Sequence, residues 1–174
     1  LASIIVWVLL RSDSNGRTGT GTPMQTCNSG GCHNATPPLT AMIDSISLID
    51  SATGVLVTQY SPNRTYRVRM IGKYIGAQNL HKYGFIVNNG GRGIFAAPTT
   101  GSTVSTSGQY WGHSSPKDSF MRISVGPANV TIYHDSARWR APGVGTGPVN
   151  FQGLLNAVNG TGTSAGDMPS NGYS

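Results

Sequence analysis

Two cysteines and a histidine stand together in TCNSGGCHNAT, residues 26–36. They are Cys27, Cys32 and His33, and the chain has no other cysteine. Several chemistries can use such a set. A disulfide across four intervening residues is geometrically acceptable, and export to an oxidising compartment would favour it. Zinc would need a fourth ligand, and structural zinc sites usually show paired ligand clusters. An exposed thiol nucleophile is the weakest reading, because a neighbouring cysteine would oxidise it. The remaining chemistry is covalent haem attachment. There, two cysteine sulfurs form thioether bonds and the histidine after the second cysteine binds the iron, usually in the spacing C-x-x-C-H. The histidine must follow directly, because that peptide runs beneath the ring and aims the imidazole at the metal. Here the spacing is C-x-x-x-x-C-H. The inserted loop, Asn28-Ser29-Gly30-Gly31, is small and flexible enough to bulge away without disturbing either bond. Haem is the leading reading, with Cys27 and Cys32 as thioether donors and His33 as proximal ligand; the disulfide stays open beside it.

A haem held by His33 needs a sixth ligand. The candidates are His81 in QNLHKYG, His113 in QYWGHSSPK, His134 in TIYHDSARW, and the methionines. His81 precedes a strand, and His134 sits mid-strand, where a surface role is equally natural. His113 is expected on a loop between strands, where ligands are more common. Tyr110 and Trp111 are close to it in sequence and would cover an apolar ring.

Other chemistries find little support. The formal charge is +6 from 12 scattered Lys and Arg residues, without the basic cluster that nucleic-acid binding requires. There are six aspartates and no glutamate, and neither a G-x-S-x-G elbow nor an H-E-x-x-H motif occurs. The expectation is therefore a protein that is not an enzyme and takes no soluble substrate.

The elements that must position these residues are strands. Gly, Ser, Thr and Asn are abundant and only 10% of residues are charged, a balance that favours short strands and turns over helices. TAMIDSISLID, VLVTQY, TYRVRMI, KYGFIVN, IFAAP, FMRISVG, VTIYHDSARW and PVNFQGLLNAV read as strands divided by turns such as SATG, SPNR and NGGRG. In TYRVRMI, Tyr66, Val68 and Met70 face one way and Arg67 and Arg69 the other, a half-buried strand of period two. TTGSTVSTSG and QYWGHSSPKDS read as loops. No segment sustains a helical apolar period. Strands at this spacing predict an all-β sandwich or barrel in one domain.

Two regions are expected: residues 1–22, an apolar arm with a polar linker, and residues 23–174, the β-sandwich carrying the Cys-His motif. The arm LASIIVWVLL is too short to cross a bilayer as a helix, which needs about 20 residues. It reads either as the end of a signal or anchor segment or as a strand apolar on both faces. Such a strand would close its own sheet or be donated to a neighbouring subunit, and donation that does not close would build a filament. Asn34, Asn63, Asn129 and Asn159 stand in glycosylation sequons, which a chain this rich in Thr and Asn produces by chance.

Taken together, these motifs resemble the exported domains called choice-of-anchor V, which share a reelin-like (reeler), immunoglobulin-like β-sandwich. TGTGTPMQTCNSGGCHNAT is similar to the family's opening Gly/Thr/Pro stretch and its Cys-bearing CH motif. YSPNRTYRVRM, KYGFIVN and QYWGHSS resemble its Y-P-G-x-T-Y-x-V, R-F-G-F-x-L and Y-x-x-H-T segments. RWRAPGVGTGPVNFQGLLNAVNGTGTSAGD is similar to its W-x-A-P-x-x-G-T-G ending. The likeness spans residues 16–168. It implies a sandwich with an extended N-terminal arm and one haem c per chain, bound by Cys27, Cys32 and His33. It also makes His113 the distal ligand. Bis-histidine iron has no open position, so the expected function is electron transfer by an exported monohaem cytochrome, at the cell surface or outside it, and the apolar arm gives it a means to assemble as a homo-oligomer or filament. The alternative is a cofactor-free surface adhesion module closed by a Cys27–Cys32 disulfide.

Overall fold

A computed structural model describes residues 41–162 and 166–170. The arm, its linker, the boundary expected at residues 22–23 and the Cys27, Cys32 and His33 cluster all lie outside the described residues. Within them the chain is all-β. It forms β1 (Ala41–Asp50), β2 (Leu56–Val57), β3 (Thr65–Gly76), β4 (Lys82–Asn88), β5 (Ile94–Ala96) and β6 (Ser102–Val104). It continues as β7 (Tyr110–His113), β8 (Lys117–Asp118), β9 (Met121–Val125), β10 (Ala128–Arg140), β11 (Gln152–Val158) and β12 (Met168–Pro169).

These strands make two antiparallel sheets. Sheet A has the order β2-β1-β3-β10-β5, with β9 also paired to β10. Sheet B has the order β12-β11-β4-β7-β6, with β8 also paired to β4. The two sheets stack as a sandwich, as the spacing of strands and turns predicts. The period-two face of β3 does what its sequence dictates: Tyr66, Val68, Met70 and Tyr74 are buried. They meet Tyr83, Phe85 and Val87 of β4, Trp111 of β7, Tyr133 and Trp139 of β10, and Leu155 of β11 in one core. Each buried aromatic removes a large apolar area from water. Trp139 anchors one end, with its ring against Phe151 at 5.1 Å and Tyr60 at 5.6 Å and its indole N–H donated to the Arg92 carbonyl at 3.1 Å.

Local chemistry sets the first turn. After β1, the Asp50 carboxylate accepts from the backbone N–H of Ala52 at 2.8 Å and of Thr53 at 3.2 Å, closing an Asx turn. Arg64 pairs with the same carboxylate at 2.8 Å.

The sequence reading differs from the structure in three places. VLVTQY pairs only at Leu56–Val57, and Val55 and Leu56 are exposed. TTGSTVSTSG contains a strand, β6, because Ser102–Val104 pairs with Trp111–His113 of β7. QYWGHSSPKDS is not a single loop: it holds β7 and β8, so His113 ends a strand and does not sit on a free loop. The Ser and Gly residues around these short strands concealed them, although Thr103, Val104, Tyr110 and Trp111 themselves favour strands.

Candidate functional site

Sheet B has two faces, and the outer one is partly shielded. Tyr83, Phe85 and Val87 fill the core, so strand alternation sends Lys82, Gly84, Ile86 and Asn88 to the outer face. In register, Ile86 faces Leu154 and Gly112, and Gly84 faces Asn156. Leu154 is 3% exposed and Asn156 is 8% exposed, although Leu154 lies outside the core cluster. Gly84 is also buried. A sheet face turned away from its partner sheet is normally solvated; this one is covered at Gly84, Leu154 and Asn156, while Lys82, Ile86 and Asn88 are half-buried and Gln152 is exposed.

The His113 ring lies against Gly84. A Cβ built on Gly84 would meet the His113 ring, 2.7 Å from Cε1 and Nε2 and 3.2 Å from Nδ1. The imidazole therefore rests on the bare backbone of Gly84, and only glycine leaves it room. Gly112, the residue before it, has no room for a Cβ either, which would stand 2.8 Å from the Phe85 carbonyl. The ring is oriented by Phe85: His113 Nδ1 is 2.9 Å from both the amide nitrogen and the carbonyl oxygen of that residue. With Nδ1–H donated to the carbonyl, Nε2 carries a lone pair; with Nδ1 accepting from the amide, Nε2 carries the proton. The backbone of β4 satisfies either tautomer. A ligating histidine usually donates its other ring N–H to a carbonyl or carboxylate in this way.

The other sequence candidates are placed as follows. Trp111 is fully buried in the core, its ring 5.0 Å from Phe85 and 5.8 Å from Phe95. Its indole nitrogen has no hydrogen-bond partner. Tyr110 is half-buried beside it on the opposite side of β7. His134 sits in β10 on the outer face of sheet A, with its ring 5.6 Å from Phe120. Burial holds its pKa below the usual histidine range, with the Arg69 charge acting in the same direction. His81 precedes β4, its Nδ1 3.4 Å from the Asn79 carbonyl. His113 and His134 thus belong to different sheets. Among the described residues no group of three or more His, Cys, Asp or Glu is placed to hold a bare metal ion.

Beside the site lies a buried polar cluster that sequence reading missed. Asp135 of β10 is 1% exposed. Its carboxylate pairs with the Lys117 ammonium of β8 and accepts from the Thr99 hydroxyl, from Ser102 Oγ at 2.9 Å and from the Ser136 N–H at 2.7 Å. Lys117 also donates to Thr99 and Ser102, both at 3.0 Å. Tyr83 reaches the same carboxylate at 3.5 Å, and burial followed by the Asp135 charge pushes its phenol above the usual tyrosine range. Ser102 and Lys117 resemble a nucleophile and base by distance alone. The Lys117 charge, however, is committed to Asp135, so the cluster ties sheet A to sheet B. The signal was available: in TIYHDSARW, Asp135 shares a phase with Tyr133, Ala137 and Trp139, which all face the core.

The outer face of sheet B carries Ile86, Leu154, Asn156 and the glycines Gly84 and Gly112 in register. The His113 imidazole lies against Gly84, with Nδ1 on the Phe85 backbone. No family model matches this chain, and neither a curated protein nor a solved structure matches it, so the family resemblance rests on the quoted motifs.

Proposed function

We propose that the protein is an exported monohaem c-type cytochrome that transfers electrons, with its haem on the outer face of sheet B. The observation that supports this most is the His113 ring resting on Gly84 in a partly shielded, partly apolar face, with Nδ1 against the Phe85 backbone. Cys27 and Cys32 would supply the thioether sulfurs, His33 the proximal nitrogen and His113 the distal one. Bound between two histidines, such a group has no open iron position and supplies outer-sphere electron transfer.

The chain's own residues have separable tasks. Phe85 fixes the His113 ring, and Nδ1–H donation to its carbonyl is the tautomer that leaves Nε2 basic. Gly84 and Gly112 keep the face flat enough for a ring and a second strand to approach. Ile86 and Leu154 lower the local polarity, which tunes potential. Trp111 and Phe85 stiffen the sheet from the core side. For the assembly, the arm at residues 1–10 would join identical subunits head to tail.

A cofactor-free adhesion module with a Cys27–Cys32 disulfide is the competing reading. It draws on the same contact, since a purely structural histidine could also cap the end of β7 by bonding Phe85. Reduced-minus-oxidised spectra and intact mass of the purified protein decide between them. The first reading expects haem c bands and the added mass of one haem. A mass lower by two hydrogens, with no such bands, establishes the disulfide.

A further inference from the structure

The opposite side of the sandwich carries an apolar surface that the haem reading does not use. On the outer face of sheet A, Val130 registers with Ile75 on one side and Ile123 on the other, and Ile132 registers with Met121. Ile75, Met121, Ile123 and Val125 are 43–57% exposed. Every residue of β9 is exposed, and among the described residues β9 pairs with β10 alone. Its other edge thus offers a row of backbone N–H and C=O groups beside an apolar face. Proteins normally blunt such edges with charges, prolines or a covering segment, because they template strand addition. Arg122 is the only charge within β9.

From these features we infer that the β9 edge is the acceptor for the apolar segment Ser3–Val8 of a neighbouring copy. This rests on the assembly half of the proposed function and not on the haem. Three features favour that occupant. The segment SIIVWV and β9 match in length, at six and five residues. It is β-branched, and as a strand it would present Ile4, Val6 and Val8 on one face, continuing the surface of Met121, Ile123 and Val125. The described chain also begins near this end of the sheet. Ala41 registers with Tyr74, Tyr74 with Thr131, and Thr131 with Arg122. That places the start of β1 three strand spacings from β9, about 14 Å. A donor segment and an acceptor edge at different places on one chain make a heterologous contact, which propagates instead of closing as a dimer.

The test uses the whole chain, residues 1–174, with a photo-reactive phenylalanine analogue at Met121 or Val125. Unlabelled and nitrogen-15-labelled chains are mixed before irradiation. The expected product joins the β9 position to residues 1–10 of a chain with the other label. Crosslinks confined to one label would overturn the inference by showing that the segment closes its own sheet. Crosslinks from β9 to β9 would overturn it in favour of a symmetric dimer, and absence of any crosslink to residues 1–10 would overturn it outright. As a second readout, Ile123→Lys should abolish the large species in sedimentation while leaving the far-ultraviolet circular dichroism unchanged. An assembly unaffected by that change would also refute the inference. Haem bands are read on the same samples, so loss of haem with persistent crosslinks would reject only the electron-transfer reading.

Discussion

The imidazole of His113 occupies the space that a side chain at Gly84 would need: a Cβ there would lie 2.7 Å from Nε2. The two residues come from neighbouring strands of sheet B, and each constrains the other. Gly84→Ala must therefore displace the ring or the backbone beneath it. The expected outcome is a haem spectrum changed from low-spin towards mixed-spin in a protein that still folds, measured by absorption and electron paramagnetic resonance. An unchanged low-spin signature would show that Gly84 does not position the ligand.

His113→Ala tests the ligand itself. The expected result is loss of the six-coordinate low-spin spectrum with thioether attachment through Cys27 and Cys32 retained. His81→Ala and His134→Ala should leave the spectrum as it is. A low-spin spectrum that survives His113→Ala but not one of the other two would move the distal role to that residue.

The Lys117–Asp135 pair is the main polar connection between the sheets, with side-chain exposures of 15% and 0%. Removing one partner strands the other in a dry site, a change that costs about 3–5 kcal/mol. Lys117→Met should lower the unfolding free energy by that order, read as a lower urea midpoint at unchanged slope. Replacing both residues by apolar ones should recover much of the loss, because no charge then remains buried. A Lys117→Met variant as stable as the parent would show that the pair contributes little.

Acid should weaken the fold through Asp50 and His134 among other groups. The Ala52 N–H above all, with Thr53 and Arg64, holds the Asp50 carboxyl below its usual range against the opposing effect of burial. That stabilisation is complete above the ordinary carboxylate range and is lost as pH falls through the lowered folded value. His134 is depressed by burial first, so the unfolded chain takes up its proton more readily. Its contribution to stability is complete above about pH 6.5 and declines as pH falls below that. Denaturant unfolding from pH 8 to pH 3 should show both losses. His134→Gln should flatten the upper part of the profile and Asp50→Asn the lower.

Trp139 reaches Tyr60, Tyr66 and Phe151 from a fully buried position. Trp139→Ala is expected to cost about 3–5 kcal/mol, read as a shift in the chemical-denaturation midpoint. Trp139→Phe should cost less, because it keeps most of the apolar volume but loses the bond to the Arg92 carbonyl.

Much of the sandwich was legible in one dimension. The alternation in TYRVRMI, KYGFIVN and VTIYHDSARW determined which side chains enter the core, since a strand has only two faces and burial rewards one apolar set. KYGFIVN coincides with β4 from Lys82 to Asn88, and turn residues marked its end. The Cys-His spacing likewise defined a haem reading without any knowledge of the fold. Other features could be decided only by tertiary structure. β6 and β7 exist because Ser102–Val104 finds a partner in Trp111–His113, a long-range pairing that no local propensity reports. Where the His113 ring lies was decided at the end of the β4–β7 ladder, where Nδ1 meets the Phe85 backbone and the ring settles on Gly84. Asp135 needed Lys117 brought from a different sheet before its burial made physical sense. Periodicity is a property of a single strand and survives in the sequence. Register between strands depends on which backbones meet, and that is written only in the packed structure.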